Sequence, residues 1–196
     1  MKRIVIGLCA LLLIALCLPA YSAPDPMDTV KSYISQGMEI VGNKGLSRDA
    51  KIKKIEALYE KMVDEEELAR RSLGRYWKNL TPAQQKEFIP LFRRVLENAY
   101  IDKILSYNNE KIVFSKQSRT SGNMAEVNSK VIMASKEVPI TYRVIMKDGT
   151  WKVYDFVIEN ISLVQNYRSQ FNAILAKETP AQLIETLKKK ISRKQA

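Results

Sequence analysis

The segment TWKVYDFVIENISLVQNYRSQF, residues 150–171, constrains the fold more than any other part of the chain. Its opening has the β-branched and aromatic composition of a strand. Alternation puts Trp151, Val153 and Val157 on one side and Tyr154, Phe156 and Ile158 on the other. Both sides of such a strand need shelter from water. The remainder switches to helical spacing, with Leu163, Val164, Tyr167 and Phe171 on one stripe. No histidine, cysteine or serine motif lies nearby, so the shelter protects no visible chemistry.

Three further strand candidates precede this one: EKIVFSKQ, MAEVNSKVIMA and VPITYRVIM. Asp148-Gly149 is a strong hairpin pair, while Gly122-Asn123 and the Ser-Lys-Glu before Val138 are weaker turns. Four consecutive strands with links this short form an antiparallel meander. In the third strand Val138, Ile140, Tyr142, Val144 and Met146 share a face, opposite Thr141, Arg143 and Lys147. The apolar face requires a cover of helices, which makes the fold α+β.

The helices are legible from their caps. Asp25 and Pro26 open one that carries Val30, Tyr33, Ile34 and Met38 at helical spacing. After the turn at residues 42–45, Ser47 caps a second, with Ile52, Ile55, Leu58, Tyr59 and Met62 as its buried stripe. Asp64 is the next cap, and Glu65, Glu66 and Glu67 complement the helix dipole rather than hold a metal. Leu68, Leu73, Tyr76 and Trp77 form the apolar side there, with Gly74 permitting a close approach. In LTPAQQKEFIPLFRRVLENAYIDKIL, Thr81, Pro82 and Gln84 make a capping box. Its wide stripe of Phe88, Leu91, Phe92, Val95, Leu96, Ala99, Tyr100 and Ile104 marks a central helix, kinked at Pro90. Thr179, Pro180 and Gln182 repeat the cap before Leu183, Ile184, Leu187 and Ile191.

The N-terminus addresses the chain for export. Lys2 and Arg3 precede the apolar run IVIGLCALLLIALCLPA, the pattern of a secretory signal peptide spanning residues 1–22, cleaved after Ser22 or Ala23. Both cysteines, Cys9 and Cys17, lie inside it and the chain has no histidine. A mature domain of residues 24–196 therefore forms no disulfide and relies on its core. Losing Lys2 and Arg3 lowers the formal charge from +11 to +9. In an exported protein that excess fits lipid headgroups or an acidic partner protein rather than nucleic acid.

Catalytic kits are missing. Without histidine or cysteine there is no histidine base, HExxH site or thiol nucleophile, and no GxSxG, SxxK, Walker or GxGxxG motif occurs. Asp155 and Glu159 remain as carboxylates, and a buried Asp155 paired with an arginine or hydrogen-bonded to backbone is the commoner reading.

LGRYWKNLTPAQQKEF (residues 73–88), VYDFVIENISLVQNYRSQF (153–171) and LIETLKKK carry a resemblance over essentially the whole chain. The sequence resembles the MlaC family of periplasmic phospholipid-binding proteins, also called the toluene-tolerance auxiliary family. Asn160 departs from the expected glycine before the ISL step, although asparagine tolerates a tight positive-φ turn.

The resemblance implies helices packed on a strongly twisted four-stranded antiparallel sheet, enclosing a hydrophobic lipid-binding cleft. It implies a monomeric periplasmic carrier, with phospholipid as cargo and neither cofactor nor metal. Its partners are the ring domain of an inner-membrane ABC transporter and an outer-membrane lipoprotein–porin complex, and its role is to maintain outer-membrane lipid asymmetry. On this reading the lining comprises Phe92, Leu96, Tyr100 and Ile104 of the long helix and Val131, Ile140, Tyr142, Val144, Trp151 and Val153 of the sheet. Val164, Tyr167 and Phe171 of the following helix complete it. Arg143 and Arg168 are candidates to meet phosphate or a partner at the mouth, with a solvated face or an ion pair with Asp155 as the equal alternative. A hopanoid-like cargo, or a cone-shaped enzyme using Asp155 on a small hydrophobic substrate, is the competing function. Intact-mass analysis of the exported protein is expected to give a chain starting at Ala23 or Pro24; a mass retaining Met1 contradicts the signal assignment.

Overall fold

The computed structural model describes residues 24–107 and 110–195; the expected signal segment at residues 1–22 lies outside the described residues. Four antiparallel strands follow one another as a meander: β1 (Lys111–Ser121), β2 (Met124–Ile132), β3 (Glu137–Lys147) and β4 (Thr150–Ile158). The β3–β4 hairpin turns on Asp148 and Gly149, with φ of 50° and 77°. Two consecutive left-handed residues match the strand twist, as the Asp-Gly pair requires.

A fifth strand corrects the expected count of four. Glu159 and Asn160 also take positive φ, 49° and 65°, and the chain folds back so that β5 (Ile161–Ser162) pairs with β4. Asn160 thus takes the positive-φ turn conformation in place of the expected glycine.

The register of β3 and β4 corrects the face assignment of β4. Val144 lies opposite Val153, whereas Arg143 lies opposite Asp155, so Tyr154 is the extra residue of a bulge. Past the bulge the alternation inverts. Trp151, Val153, Phe156 and Ile158 pair with Met146, Val144, Tyr142 and Ile140 and share their face, while Val157 joins Thr141 on the other.

Six helices among the described residues complete the fold: α1 (Pro26–Gly42), α2 (Arg48–Met62), α3 (Glu65–Leu73), α4 (Pro82–Leu105), α5 (Leu163–Leu175) and α6 (Pro180–Gln195). The start of α1 is clamped to the apolar face of the sheet. Gln117 of β1 donates to Asp25 at 2.6 Å and accepts from the Met27 amide at 2.9 Å, and the Trp151 indole donates to the Pro24 carbonyl at 2.7 Å. The α2–α3 junction covers the edge of β4, where the Asp64 amide donates to the Val153 carbonyl at 2.9 Å. α3 ends at Leu73 because Gly74 turns the chain with φ of 56°, and Tyr76 and Trp77 continue in a 3-10 turn (Gly74–Asn79).

Two stripes are less buried than their periodicity predicts. Ile52, Ile55, Leu58, Tyr59 and Met62 of α2 are all half-buried, and the helix has no fully buried side chain. Charge helps to hold it to α4: Arg48 pairs with Asp102 at 2.6 Å, and Arg93 reaches Glu60 at 2.5 Å. In α4, which continues through Pro90, Phe88, Phe92, Val95 and Leu96 are buried, but Ala99 is exposed. The Thr81 hydroxyl accepts from the Gln84 amide at 3.2 Å while the Gln84 side chain accepts from the Thr81 amide at 2.9 Å. Thr81→Ala is expected to lower stability by about 1 kcal/mol, measured as a reduced urea midpoint with unchanged slope; an unchanged midpoint contradicts this role of the cap.

Candidate functional site

One contiguous apolar cluster runs between the helices and the sheet, and it holds most of the expected lining. Phe92, Leu96, Tyr142, Val144, Trp151, Val153, Val164, Tyr167 and Phe171 are each less than 9% exposed and belong to it. Tyr100 and Ile140 pack against its margin, half-buried.

Two expected residues fall outside. Ile104 is 42% exposed, on the last turn of α4, whose buried face ends at Leu96. Val131 is half-buried and is not part of the cluster, since it lies near the end of β2, opposite Ile112 and Val138.

The aromatic side chains divide into two groups. On α4 and α5, Phe88 and Phe92 stack with centroids 5.6 Å apart, Phe92 meets Tyr167 edge-on at 4.9 Å, and Phe171 contacts both phenylalanines. On the sheet, Phe114 stacks on Tyr142 at 6.3 Å and Tyr142 meets Phe156 at 5.9 Å. No ring contact among the described residues joins the two groups. The other buried members of the cluster are, Trp151 apart, aliphatic. Ring pairs have preferred geometries, whereas aliphatic contacts have none. Burial pushes the Tyr167 phenol up to about 12 and raises those of Tyr100 and Tyr142 as well, so these phenols are uncharged at neutral pH.

Phe114 and Phe156 were missed by sequence reasoning. Phe114 is a lone aromatic in a largely exposed strand, and Phe156 was assigned to the wrong face by the unrecognised bulge. Both are half-buried and, like Ile140 and Tyr100, pack against the cluster from its partly exposed periphery.

Nine of the thirteen expected lining residues are less than 9% exposed, so the walls of the expected cleft lie against protein. Facing apolar walls close because a gap forfeits dispersion contacts. Two surface depressions lie elsewhere: one of about 490 Å³ at Met38, Glu39, Gly42, Asn43 and Tyr107, and one of about 340 Å³ between α3 and α5. None of the expected lining residues borders either.

On the other face of β4 the polar residues form a joint. Asp155, 2% exposed, accepts from the Arg143 guanidinium at 3.1 Å, the Ser162 hydroxyl at 2.6 Å and the Val164 amide at 3.0 Å. Arg143 also donates to Glu126 at 2.9 Å. The carboxylate thus ties the N-terminus of α5 to the sheet, where the helix dipole favours negative charge. Arg168 donates its Nε to the Arg71 carbonyl at 2.8 Å instead of meeting Asp155. No group of three or more metal-ligating side chains occurs among the described residues, and no described helix is long and apolar enough to cross a membrane.

Helices wrapped on an antiparallel meander around one apolar cluster, with a polar joint on the far side, define an α+β fold. The model of the MlaC protein family matches residues 31–189, and the chain belongs to that family. It is 28% identical over 125 residues to the intermembrane phospholipid transport system binding protein MlaC of Haemophilus influenzae, covering 61% of this chain and 58% of that one. It is 31% identical over 98 residues to toluene tolerance protein ttg2D of Pseudomonas putida, covering 50% and 46%. The chain thus spans about half the length of these curated relatives. A solved phospholipid-binding protein of Ralstonia solanacearum, in complex with a phospholipid, matches with a TM-score of 0.79 at 23% identity, covering 88% of this chain and 100% of the other. That likeness establishes the fold.

Asp155→Asn turns an amide N–H₂ toward at least one of three converging donors and weakens the ion pair with Arg143. Urea unfolding is expected to show a loss of about 3 kcal/mol; an unaltered midpoint contradicts a structural role for this carboxylate.

Proposed function

We propose that this chain is a phospholipid carrier whose acyl-chain site is the apolar cluster between α4, α5 and the sheet. The observation that carries the reading is the division of the interior into two aromatic groups with aliphatic side chains making up most of the remainder. Aliphatic contacts without directional geometry can be exchanged for acyl chain at small cost, while each aromatic group stays intact. The half-buried margin at Tyr100, Phe114, Ile140 and Phe156 is the entry. Membership of the MlaC family, the phospholipid-transport name of the Haemophilus relative and the phospholipid in the Ralstonia complex all favour this cargo.

The energetic need for a carrier is plain. Exposing a lipid's chains to water costs about 0.8 kcal/mol per methylene, or on the order of 20 kcal/mol for two chains. Lipid therefore crosses an aqueous gap only inside a protein. The mature domain, residues 24–196 after removal of a signal at residues 1–22, works in the periplasm. It moves lipid between an outer-membrane complex and an inner-membrane ABC transporter. With Asp155 engaged by three donors, the enzyme reading has no free carboxylate on β4 to use as its base.

Purification from the periplasm under mild conditions, followed by mass spectrometry of an organic extract, is expected to yield phospholipid. Val144→Arg places a charge at a side chain that is 0% exposed and should expel the lipid or unfold the protein. Phe114→Asp, at the half-buried margin, should reduce bound lipid while the fold is retained. A lipid-free extract from folded wild-type protein contradicts the carrier reading.

A further inference from the structure

We propose that the recess between α3, the 3-10 turn and α5 is a carboxylate-binding site that docks an acidic segment of a partner protein. The recess, about 340 Å³, is lined by Arg70, Arg71, Gly74, Trp77, Lys78 and Arg168. Four of these six residues are cations. Glu67 engages Arg70 and Arg71, each at 2.6 Å. Arg71 also lies 4.2 Å from the Tyr154 ring centroid.

Arg168 and Lys78 have no carboxylate partner among the described residues. Arg168 is half-buried and spends its Nε on the Arg71 carbonyl, so both terminal nitrogens of its guanidinium fork are left for a guest. A half-buried cation without a counter-charge is costly, and a planar fork with two open donor groups matches a carboxylate edge.

The backbone makes room for this arginine. A Cβ at Gly74 would lie 3.3 Å from Arg168 Nε and 3.4 Å from its Cδ, and Gly74 itself has φ of 56°. The positive φ favours glycine there, and a Cβ would make the Arg168 side chain give by a few tenths of an ångström.

The shape favours a protein side chain over a bilayer. Arg168 is recessed, and a headgroup plane is met best by projecting cations. Trp77 supplies an apolar wall against which the methylenes of a glutamate can lie while its carboxylate reaches Arg168. Trp77 also packs against the central apolar cluster. This site stands independently of the lipid reading.

The test follows the Trp77 indole N–H resonance of the full mature chain by NMR. A short blocked Glu/Ser peptide is titrated, with its Gln/Ser counterpart as control. The acidic peptide is expected to shift that resonance, with affinity falling as salt rises. Arg168→Gln should weaken binding about tenfold or more. Lys78→Glu, at an exposed position without a structural partner, should weaken it as well and carries the test if Arg168→Gln does not fold. Bound lipid, measured in the same samples, should be unchanged. Equal affinity in wild type and both folded variants overturns the proposal. So does a Trp77 shift produced by inorganic phosphate or phosphatidylglycerol vesicles but not by the acidic peptide.

Discussion

The apolar face of the β1–β4 meander has to be kept from water, and the rest of the structure follows from how the helices do this. α1 is fastened to it by directional contacts, Gln117 to Asp25 and Met27 and Trp151 to Pro24. α5 is fastened through Asp155 from the opposite side of β4. α4 is held differently: its ion pairs run to α2, α3 and α6, through Glu56, Glu60, Glu65, Arg48 and Lys188. Its rings pair with those of α5 rather than with those of the sheet. Among the described residues, no ion pair or ring contact ties α4 directly to the sheet.

Much of this could be read before any coordinates. The capping boxes at Thr81 and Thr179, the Asp-Gly hairpin and the alternation of β3 are local signals, decided within a few residues, and the structure reproduces each. The faces of β4 were misread because nothing in VYDFVI announces a bulge. It becomes visible only when Val153 and Asp155 are found opposite neighbouring residues of β3. Burial was overestimated for α2 and for the end of α4 because periodicity tells which side of a helix is apolar, not how closely another element approaches it. The short fifth strand rests on a turn of Glu159 and Asn160, neither of which is glycine.

Charge and grease occupy separate faces of β4. The bulge at Tyr154 returns Phe156 to the apolar face and leaves Asp155 paired with Arg143 on the other. One strand thereby serves the hydrocarbon cluster and, nine residues later in the chain, the start of α5. The same helix carries Tyr167 inward and Arg168 outward, so the proposed lipid and carboxylate sites share a wall one residue thick. Sheltering β4 on both sides thus generates both surfaces of interest.

The central claim is that acyl chains enter between the aromatic groups of the helices and of the sheet. Its most direct test is to load the protein with a phospholipid bearing a photoreactive diazirine in its acyl chain, irradiate, and locate the adducts by peptide mass spectrometry. The account predicts adducts on peptides containing Tyr100, Phe114, Ile140 and Phe156. Adducts confined to outward-facing peptides such as those of α2 and the exposed side of α6 would contradict it.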